Sequence, residues 1–240
     1  MTELLTQLRE NLLFVLASSA IIIAITGMSK LTELFLHGVR RVSKARRICI
    51  IAICSAIAAV LHMLDFPIPF LAPGFYKLDF SELPVMLCGF YLGPSAAVFC
   101  EGVKVLLKLL LQGTSTAFVG DFANFVVGCS LVFPAATIYH IKRKRPYALL
   151  GLAVGTLTLT VFGSAFNAIY LLPKFSELYG MPLDSIIAMG TKINGNITNV
   201  SSFVLLAVAP LNLIKGITIS VLTVLLYKRI ARPLFGIRES

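Results

Sequence analysis

Apolar runs long enough to cross a bilayer alternate with short polar breaks along the 240 residues of the chain. A helix needs about 20 predominantly apolar residues to span the hydrocarbon layer, and most of the runs have about that length. The breaks carry proline, glycine or clustered basic residues, which end helices or favour water. The pattern predicts seven membrane helices, at about residues 11–36, 47–65, 81–92, 94–112, 120–141, 147–172 and 201–227.

The connections between these spans differ in length and composition. Residues 67–79 form a proline-rich loop and residues 113–119 a short polar loop, whereas residues 173–200 make a long connection with a weak helical pattern near 183–189. The first span does not resemble a secretory signal, because the segment before it is not net basic and the basic run follows the apolar stretch. It is therefore expected to be a retained extra helix.

The basic residues favour one orientation of the predicted spans. Lys and Arg collect in cytoplasmic connections because they resist translocation. Outside the spans, only Arg9, Lys77, Lys174 and Lys192 fall on the opposite side of the layout. Seven spans then place the N-terminus outside the cell membrane and the C-terminus in the cytoplasm. The residues assigned to the cytoplasmic side are Arg40, Arg41, Lys44, Arg46, Arg47, Lys142, Arg143, Lys144, Arg145, Lys228, Arg229, Arg232 and Arg238.

The composition supports a multi-pass membrane protein. Hydrophobic residues make up 58% of the chain and charged residues 13%, whereas soluble domains carry roughly 25% charged residues. The formal net charge is +10. Basic cytoplasmic loops explain this charge better than a nucleic-acid partner does.

Motifs for several kinds of chemistry are missing from the sequence. Its five cysteines form no CxxC pair and its three histidines no HExxH, so neither a redox motif nor a metal site is predicted. The sequence has no GxxxxGKS/T phosphate loop, so the chain is not expected to hydrolyse ATP by that route. We expect no catalytic residues, and an energy source outside the chain.

Polar side chains inside the spans are costly in lipid and therefore mark packing seams or functional sites. Asn212 and Lys215 are three residues apart in the last span, which places them on one helical face. Lys215 either extends to the membrane interface or serves a ligand or an ion pair. Asn167 either makes a helix–helix hydrogen bond or binds a ligand.

Three further patterns involve charged or small residues. Glu101, Lys104 and Lys108 form a charged stripe on one helical face, and we favour an internal ion pair between the first two over a cavity or a partner. Asp79 is predicted to cap the helix that begins near Ser81, with Glu82 as its third-position partner. A small-xxx-small spacing, which permits close helix approach, occurs at Ala52 and Ala56 and again at Ser55 and Ala59.

Several segments together resemble the substrate-binding S components of energy-coupling factor (ECF) vitamin transporters, and among these the riboflavin-specific members. The similarity runs from about residue 44 to residue 232. It rests on the combination and order of the segments more than on any one of them. The segments are FPIPFLAPGFYKLDFSELP, GFYLGP, GTSTAFVGDFANF, NAIYLLP, PLNLIKG and LLYKR.

The resemblance implies an all-α membrane protein with a six-helix S-component core at residues 44–232. Residues 1–43 would add one N-terminal transmembrane helix and a basic cytoplasmic linker, and residues 233–240 a cytoplasmic tail. The pocket of such a core opens to the outside, and its ligand is a vitamin that is not covalently bound. The substrate-binding residues that the resemblance implies are Lys77, Leu78, Asp79, Asn124, Asn167, Asn212 and Lys215.

The resemblance also implies partners: one transmembrane scaffold protein and two ATPases. In the family an Ala-xxx-Ala surface on the first core helix docks the scaffold, and it matches Ala52 and Ala56. The chemistry of riboflavin agrees with the residues, because amides can pair with the uracil-like edge of its ring. The extra N-terminal helix and the long connection at residues 173–200 depart from the family pattern.

Four alternatives stay open at this stage. The first is whether the ligand is riboflavin or its phosphate, FMN. The second is an S component for another vitamin or small molecule. The third is a membrane-embedded enzyme acting on lipid, although Glu101, Asp121 and His140 share no helical face, and the fourth is a structural or regulatory membrane subunit that binds no vitamin.

Overall fold

The chain is almost entirely helical in the computed structural model, which describes residues 2–36, 38–39 and 42–235. Side chains are described for these residues except 2–11, 13, 228 and 230–235. The α-helices within these residues are α1 (Thr2–Phe35), α2 (Lys44–Met63), α3 (Glu82–Leu92), α4 (Pro94–Gln112), α5 (Val119–Lys142), α6 (Arg145–Phe166), α7 (Leu172–Tyr179), α8 (Leu183–Thr191), α9 (Val200–Phe203) and α10 (Ala209–Phe235).

Two kinds of shorter element complete the fold. Strands β1 (Phe66–Pro67) and β2 (Lys77–Leu78) pair antiparallel and form a small hairpin between α2 and α3. Two π-helical segments, Asn167–Leu171 and Val204–Val208, join α6 to α7 and α9 to α10 without a break. We refer to the end of the bundle that carries β1 and β2 as the hairpin end, and to the opposite end, where α2 begins, as the basic end.

A helix forms at each of the seven predicted spans. Five helical stretches in the described part of the chain are long and apolar enough to cross a membrane. Of the other two, α3 has 11 residues, and α4 has 19 but carries three charged side chains. The count of seven crossings and the resulting sidedness therefore stay predictions. The five stretches are Phe14–Phe35, Lys44–Met63, Val119–Lys142, Arg145–Tyr179 and Val200–Tyr227.

The long connection is more helical than predicted. The short helix expected near residues 183–189 is confirmed as α8. The preceding span was predicted to end near residue 172, but the helix continues through α7 to Tyr179. The chain then turns at Gly180, whose positive φ of 60° suits a residue without a side chain.

Glycine and proline separate α3 from α4, as the sequence indicates. Gly93 has a φ of 115°, which side chains disfavour, and Pro94 occupies the first turn of α4, where its missing N–H costs nothing. Both sides of this break are fully buried. Two separate helices, α3 and α4, therefore form on either side of Gly93, and they pack against each other.

Small residues let α5 and α6 approach closely. A Cβ atom on Gly155 would lie 2.5 Å from the Leu131 carbonyl oxygen, and one on Gly151 would lie 2.6 Å from that of Ala135. Such contacts allow backbones to pack tightly where lipid supplies no hydrophobic driving force between helices. At the basic end of the bundle, α3 packs against α5 through the rings of Phe90 and Tyr139, which stack at 4.5 Å between centroids.

The extra helix α1 lies against α4 and α5. Phe14 meets the ring of Phe122 edge-on at 6.1 Å between centroids. At the basic end, Glu33 accepts two hydrogen bonds of 3.1 Å from the Arg47 guanidinium and also binds Ser95. Most of the other described side chains of α1 are exposed, as expected of a helix that faces lipid. Of the predicted basic residues, Arg40, Arg41 and Arg238 lie outside the described residues.

Replacing Gly155 with Leu is expected to lower the thermal unfolding midpoint of the purified protein. The new side chain would meet backbone that cannot give way, and overpacking of this kind costs about 1–3 kcal/mol. Gly27→Leu is the matched control, because a Cβ atom there would have nothing within 4 Å and a better helix former is gained. Equal midpoints for the two variants would contradict the close α5–α6 contact.

Candidate functional site

A cavity of about 410 Å³ lies among the helices at the hairpin end. Its wall is built from the end of α2, the hairpin, α4, α5, the first π-helical segment, α7 and α10. Both apolar and polar side chains line it, which is typical of small-molecule sites. The lining residues are His62, Asp65, Phe75, Tyr76, Lys77, Leu78, Asp79, Lys108, Ser115, Thr116, Gly120, Asp121, Ala123, Asn124, Val127, Asn167, Leu171, Phe175, Tyr179, Leu211, Asn212 and Lys215.

All seven side chains implied by the resemblance line this one cavity. They come from four separate parts of the chain, and the sequence alone could not show that these parts meet. Their role in binding stays a prediction, because no ligand contact tests it. The seven are Lys77, Leu78 and Asp79 from the hairpin region, Asn124 from α5, Asn167 from the first π-helical segment, and Asn212 and Lys215 from α10.

Lys215 is held by two carboxylates. Its Nζ donates to Asp79 Oδ2 at 3.0 Å and to Glu82 Oε1 at 2.9 Å. Of the two alternatives for this lysine, the structure therefore shows an ion pair rather than extension to the membrane interface. Both carboxylates are buried, at 4% and 1% exposure. The interaction thus joins α10 to the start of α3 across 136 residues of sequence.

The pair continues into the interior as a charge network, which comprises Lys215, Asp79, Glu82, Lys104 and Glu101. Glu82 Oε1 lies 3.4 Å from Lys104 Nζ, and Lys104 forms an ion pair with Glu101. The predicted internal ion pair of the charged stripe is thereby confirmed. Lys104 and Glu101 are fully buried, and such groups are stable only when paired.

The electrostatics of the hairpin follow from this network. Burial alone would raise the pKa of Asp79, but the ammonium groups of Lys215 and Lys104 lower it by more, so the net pKa lies below the ordinary value. Asp79 therefore stays ionised. Burial raises the pKa of Tyr76, so its hydroxyl stays protonated and can donate a hydrogen bond.

The predicted helix cap at Asp79 is wrong. Helix α3 begins at Glu82, and Ser81 occupies the capping position without a side-chain bond to the helix. Asp79 Oδ1 instead accepts a hydrogen bond of 2.8 Å from the Ser81 N–H. Its second oxygen, Oδ2, binds Lys215, so the Asp79 carboxylate is fully used before α3 begins.

The three amide side chains differ in how their hydrogen bonds are used. Asn167 is occupied: its Oδ1 accepts from the Tyr76 hydroxyl at 2.8 Å, and its Nδ2 donates to the Gly163 carbonyl at 2.7 Å. The buried Asn212 Nδ2 and Asn124 Oδ1 have no hydrogen-bond partner among the described residues. Both side chains line the cavity, but these two atoms are themselves enclosed by protein, and Asn212 Nδ2 faces Gly163 of α6.

Sequence reasoning missed the partners of two lysines and two other residues of the cavity wall. Lys108 pairs with Asp121 at 2.8 Å, and Lys77 with Asp65 at 2.9 Å. The charged stripe was the available signal for the first pair, because a lysine inside a span requires a partner and Asp121 begins the next helix. No comparable signal marked Tyr76 or His62, which enter the cavity wall only through the fold.

The small-residue face on α2 divides into two sides. Ser55 and Ala59 are buried, whereas Ala52 and Ala56 are exposed. Ser55 Oγ donates to the Cys100 carbonyl, so its side of the helix packs against α4. The other side faces outward, and its proposed docking role is not tested by these contacts.

The residues considered for catalysis do not meet. Asp121 lines the cavity, while His140 lies between the carbonyl oxygens of Gly38 and Gly89 at the basic end. Glu101 is enclosed in the charge network. Within the described residues, no group of three or more His, Cys, Asp or Glu side chains is placed to hold a metal ion.

The fold and the site define a class: a multi-pass helical membrane protein with one mixed polar and apolar cavity at one end of the bundle. Residues 46–227 match the family described as "ECF transporter, substrate-specific component". The chain belongs to this family. It is 38% identical over 186 residues to "Riboflavin transporter RibU" of Staphylococcus aureus (strain TCH60), covering 78% of this chain and 90% of that relative.

Further comparisons agree. The chain is 30% identical to "Riboflavin transporter FmnP" of Bacillus subtilis (strain 168), over 77% of this chain and 91% of the relative. A solved structure described as "Structure and mechanism of the S component of a bacterial ECF transporter" superposes with a TM-score of 0.63 at 38% identity. It covers 82% of this chain and all of the other. The predicted fold class, an S-component core with an added N-terminal helix, is thereby confirmed.

Replacing Lys215 with Met is expected to lower the free energy of unfolding by about 3–5 kcal/mol at neutral pH, because the buried Asp79 loses its ion-pair partner and Glu82 loses one of its two. The depressed pKa of Asp79 means that its ion pairing stabilises the protein above pH 3.8, the ordinary value, and is lost as the pH falls below it. The deficit of the variant should therefore narrow in acid. Thermal unfolding at a series of pH values measures both effects.

The control for this experiment is Lys174→Met. Lys174 pairs with Glu177 at the surface, and exposed pairs contribute about 1 kcal/mol or less. A Lys215→Met protein as stable as this control, or a deficit that does not change with pH, would show that the network does not hold the hairpin to α10.

Proposed function

We propose that this chain is the riboflavin-capturing subunit of an ATP-driven uptake transporter. It binds the vitamin from the outer side of the cell membrane and delivers it together with an ECF module. The observation that carries the proposal is the single cavity in which all seven implied ligand residues meet. The relatives named as riboflavin transporters support the choice of vitamin.

The chemistry of the cavity suits a flavin. Riboflavin combines an apolar fused ring, a uracil-like edge of donors and acceptors, and a hydroxylated tail. Phe75, Leu78 and Leu211 supply apolar wall for the ring. Asn212 and Lys215 lie side by side in the cavity wall and supply an amide and an ammonium group for the uracil-like edge.

The sidedness of the chain supports capture from outside. The cavity lies at the hairpin end, and the basic residues of α2, the α5–α6 connection and the end of α10 lie at the other. Basic connections stay in the cytoplasm. With seven crossings, the N-terminus lies outside, the C-terminus lies inside, and the cavity opens to the exterior.

We divide the chain into three parts. Residues 44–232 form the binding unit, residues 1–43 an added helix with its linker, and residues 233–240 a tail, of which 236–240 lie outside the described residues. The chain acts as a binding subunit and not as an enzyme. The energy for uptake comes from two ATPase partners, and a transmembrane scaffold protein couples them to this chain.

Docking of the scaffold is proposed at Ala52 and Ala56. Both are exposed on α2, so a partner helix can approach this face closely. The added helix α1 lies against α4 and α5. It therefore leaves the Ala52 side of α2 uncovered.

The purified chain is expected to quench riboflavin fluorescence saturably, and Asn212→Ala to weaken this binding by about tenfold or more. A lost hydrogen bond to a buried donor costs about 1–3 kcal/mol. Asn196→Ala is the control, since Asn196 is exposed on a loop and does not line the cavity. A well-folded protein that does not quench riboflavin would overturn the proposal in favour of another vitamin.

Ala52→Phe and Ala56→Phe are each expected to reduce the amount of scaffold and ATPase that co-purifies with the chain, because a bulky ring blocks close helix approach. Riboflavin binding by the isolated chain should not change. Ala153→Phe on the exposed side of α6 is the matched control. Full complex recovery with both α2 variants would move the docking surface elsewhere.

A further inference from the structure

A groove of about 1100 Å³ opens at the basic end of the bundle, between the end of α1, the segment that follows it, and the beginnings of α2 and α4. It shares no lining residue with the cavity at the hairpin end. More than half of its lining residues precede residue 46, where the family match begins. The groove is therefore a feature that the added helix brings to this chain.

The polar part of the groove holds a carboxylate that is already fully used. Glu33 Oε1 accepts hydrogen bonds of 3.1 Å from both terminal nitrogens of Arg47, and Glu33 Oε2 accepts one of 3.1 Å from the Ser95 N–H. The Ser95 hydroxyl also donates to Oε2. A carboxylate offers about four acceptor positions. Glu33 is thus neutralised by Arg47 and has no position left for a second cation.

Lys30 is the cation that this carboxylate leaves without a partner. It precedes Glu33 by three residues on α1, a spacing at which ion pairs form. Among the described residues, however, Glu33 pairs with Arg47, and the Lys30 ammonium lies 5.2 Å from the centre of the Phe99 ring. An aromatic face attracts a cation but does not replace an oxygen acceptor, so the three N–H donors of this ammonium can serve an anion.

The position of Lys30 along α1 matches the polar layer of a membrane. Five residues separate it from the end of the helix at Phe35, which is about 7.5 Å along the helix axis. The headgroup layer on each side of a bilayer is about 5–7 Å thick. An unpaired charge within a span is costly. A lysine at this depth is therefore stabilised by the phosphate of a lipid.

The rest of the groove combines apolar walls with a basic rim. Leu34 and Ile48 are 81% and 67% exposed, and Ile51 extends the apolar wall along α2. Lys44 lies one turn before Ile48, on the same face of α2 and at its exposed beginning. Basic pockets between membrane helices bind anionic lipid headgroups. The walls and the rim thus match the acyl chains and the phosphate of one molecule.

We propose that this groove binds an anionic phospholipid from the leaflet at the basic end. The phosphate lies between Lys30 and Lys44, and the acyl chains run along Leu34, Ile48 and Ile51. The lipid fills the space between α1 and α2 and so completes the packing of the added helix on the core. The proposal rests on the location of the chain in a membrane and is independent of the vitamin that it binds.

A single fluorescent reporter tests the site, because the chain has no tryptophan. Phe99→Trp places an indole in the groove and keeps an aromatic face for Lys30. Leu150→Trp places the same reporter on an exposed side of α6, also near the basic end but outside the groove. Each variant is reconstituted in phosphatidylcholine vesicles that contain increasing fractions of brominated phosphatidylglycerol or brominated phosphatidylcholine, since bromine quenches an indole on contact.

The expected result is a preference for the anionic lipid in the groove alone. At position 99, half-maximal quenching should need at least about tenfold less phosphatidylglycerol than phosphatidylcholine, and at position 150 the preference should stay below about threefold. Equal quenching by the two lipids at position 99 would overturn the proposal. So would the absence of quenching there by either lipid, because protein would then cover the groove.

The role of the lysine is tested by Lys30→Met in the Phe99→Trp protein. The preference for phosphatidylglycerol should fall about fivefold, which corresponds to about 1 kcal/mol for one basic residue near a membrane surface. Lys142→Met is the matched control and should change the preference less than about twofold. Lys142 also lies over an aromatic ring, that of Tyr147 at 5.5 Å, but does not line the groove. Equal losses in the two variants would show a general attraction of the basic end and would overturn the site.

Two further measurements separate the remaining outcomes. Lys44→Met, on the exposed rim, should also lower the preference, so the site stays testable if Lys30→Met does not fold. No change in either folded variant would contradict the assignment of the phosphate. Inorganic phosphate shares the chemistry of the headgroup but lacks acyl chains, so millimolar phosphate at constant ionic strength should not relieve quenching by phosphatidylglycerol. Relief would identify a soluble anion as the occupant and would overturn the lipid site.

Discussion

The ion pair between Lys215 and the two carboxylates at the start of α3 is the contact on which the cavity depends. A charge inside a membrane protein is stable only if its partners are fixed in place. The lysine therefore fixes the rotation of α10 about its own axis, and the carboxylates fix the hairpin above α3. Asn212, one helical turn away, is oriented by the same restraint, and so is Tyr76 through the hairpin. The polar side of the cavity thus follows from a single electrostatic requirement.

The inner half of the charge network transmits this restraint to α4. Lys104 links Glu82 to Glu101, and Glu101 lies against Gly128 of α5, where any side chain would collide with the carboxylate. Replacement of a buried ion pair by apolar residues often costs little stability. The presence of such a network in the core therefore indicates that the protein requires one specific arrangement of α3, α4 and α10. A binding subunit must present the same pocket to every ligand molecule, so it requires such a fixed arrangement.

Local patterns in the sequence predicted what local geometry determines. The spacing of Asn212 and Lys215 fixes a shared face, and the spacing of Glu101 and Lys104 fixes an ion pair. Partners distant in sequence could not be predicted in this way, because the approach of Asp79 to Lys215 depends on how the helices assemble. The wrong cap at Asp79 has the same cause, because one oxygen of this carboxylate binds Lys215 of another helix and the other binds the Ser81 N–H ahead of α3. The family resemblance supplied the ligand residues, and the fold brought them together.

The two π-helical segments, Asn167–Leu171 and Val204–Val208, have a consequence for the register of the chain. One residue inserted into a regular α-helix rotates everything that follows by about 100°. A π turn holds about one residue more than an α turn, so it accommodates such a residue without that rotation. The segment Val204–Val208 immediately precedes the face that carries Asn212 and Lys215, and Asn167 begins the other segment. Each wide turn therefore takes up one residue locally, and the helix that follows keeps the rotation that places Asn212 and Lys215 at the cavity. These two turns therefore let the chain gain or lose a residue beside the cavity while the side chains that line it keep their direction.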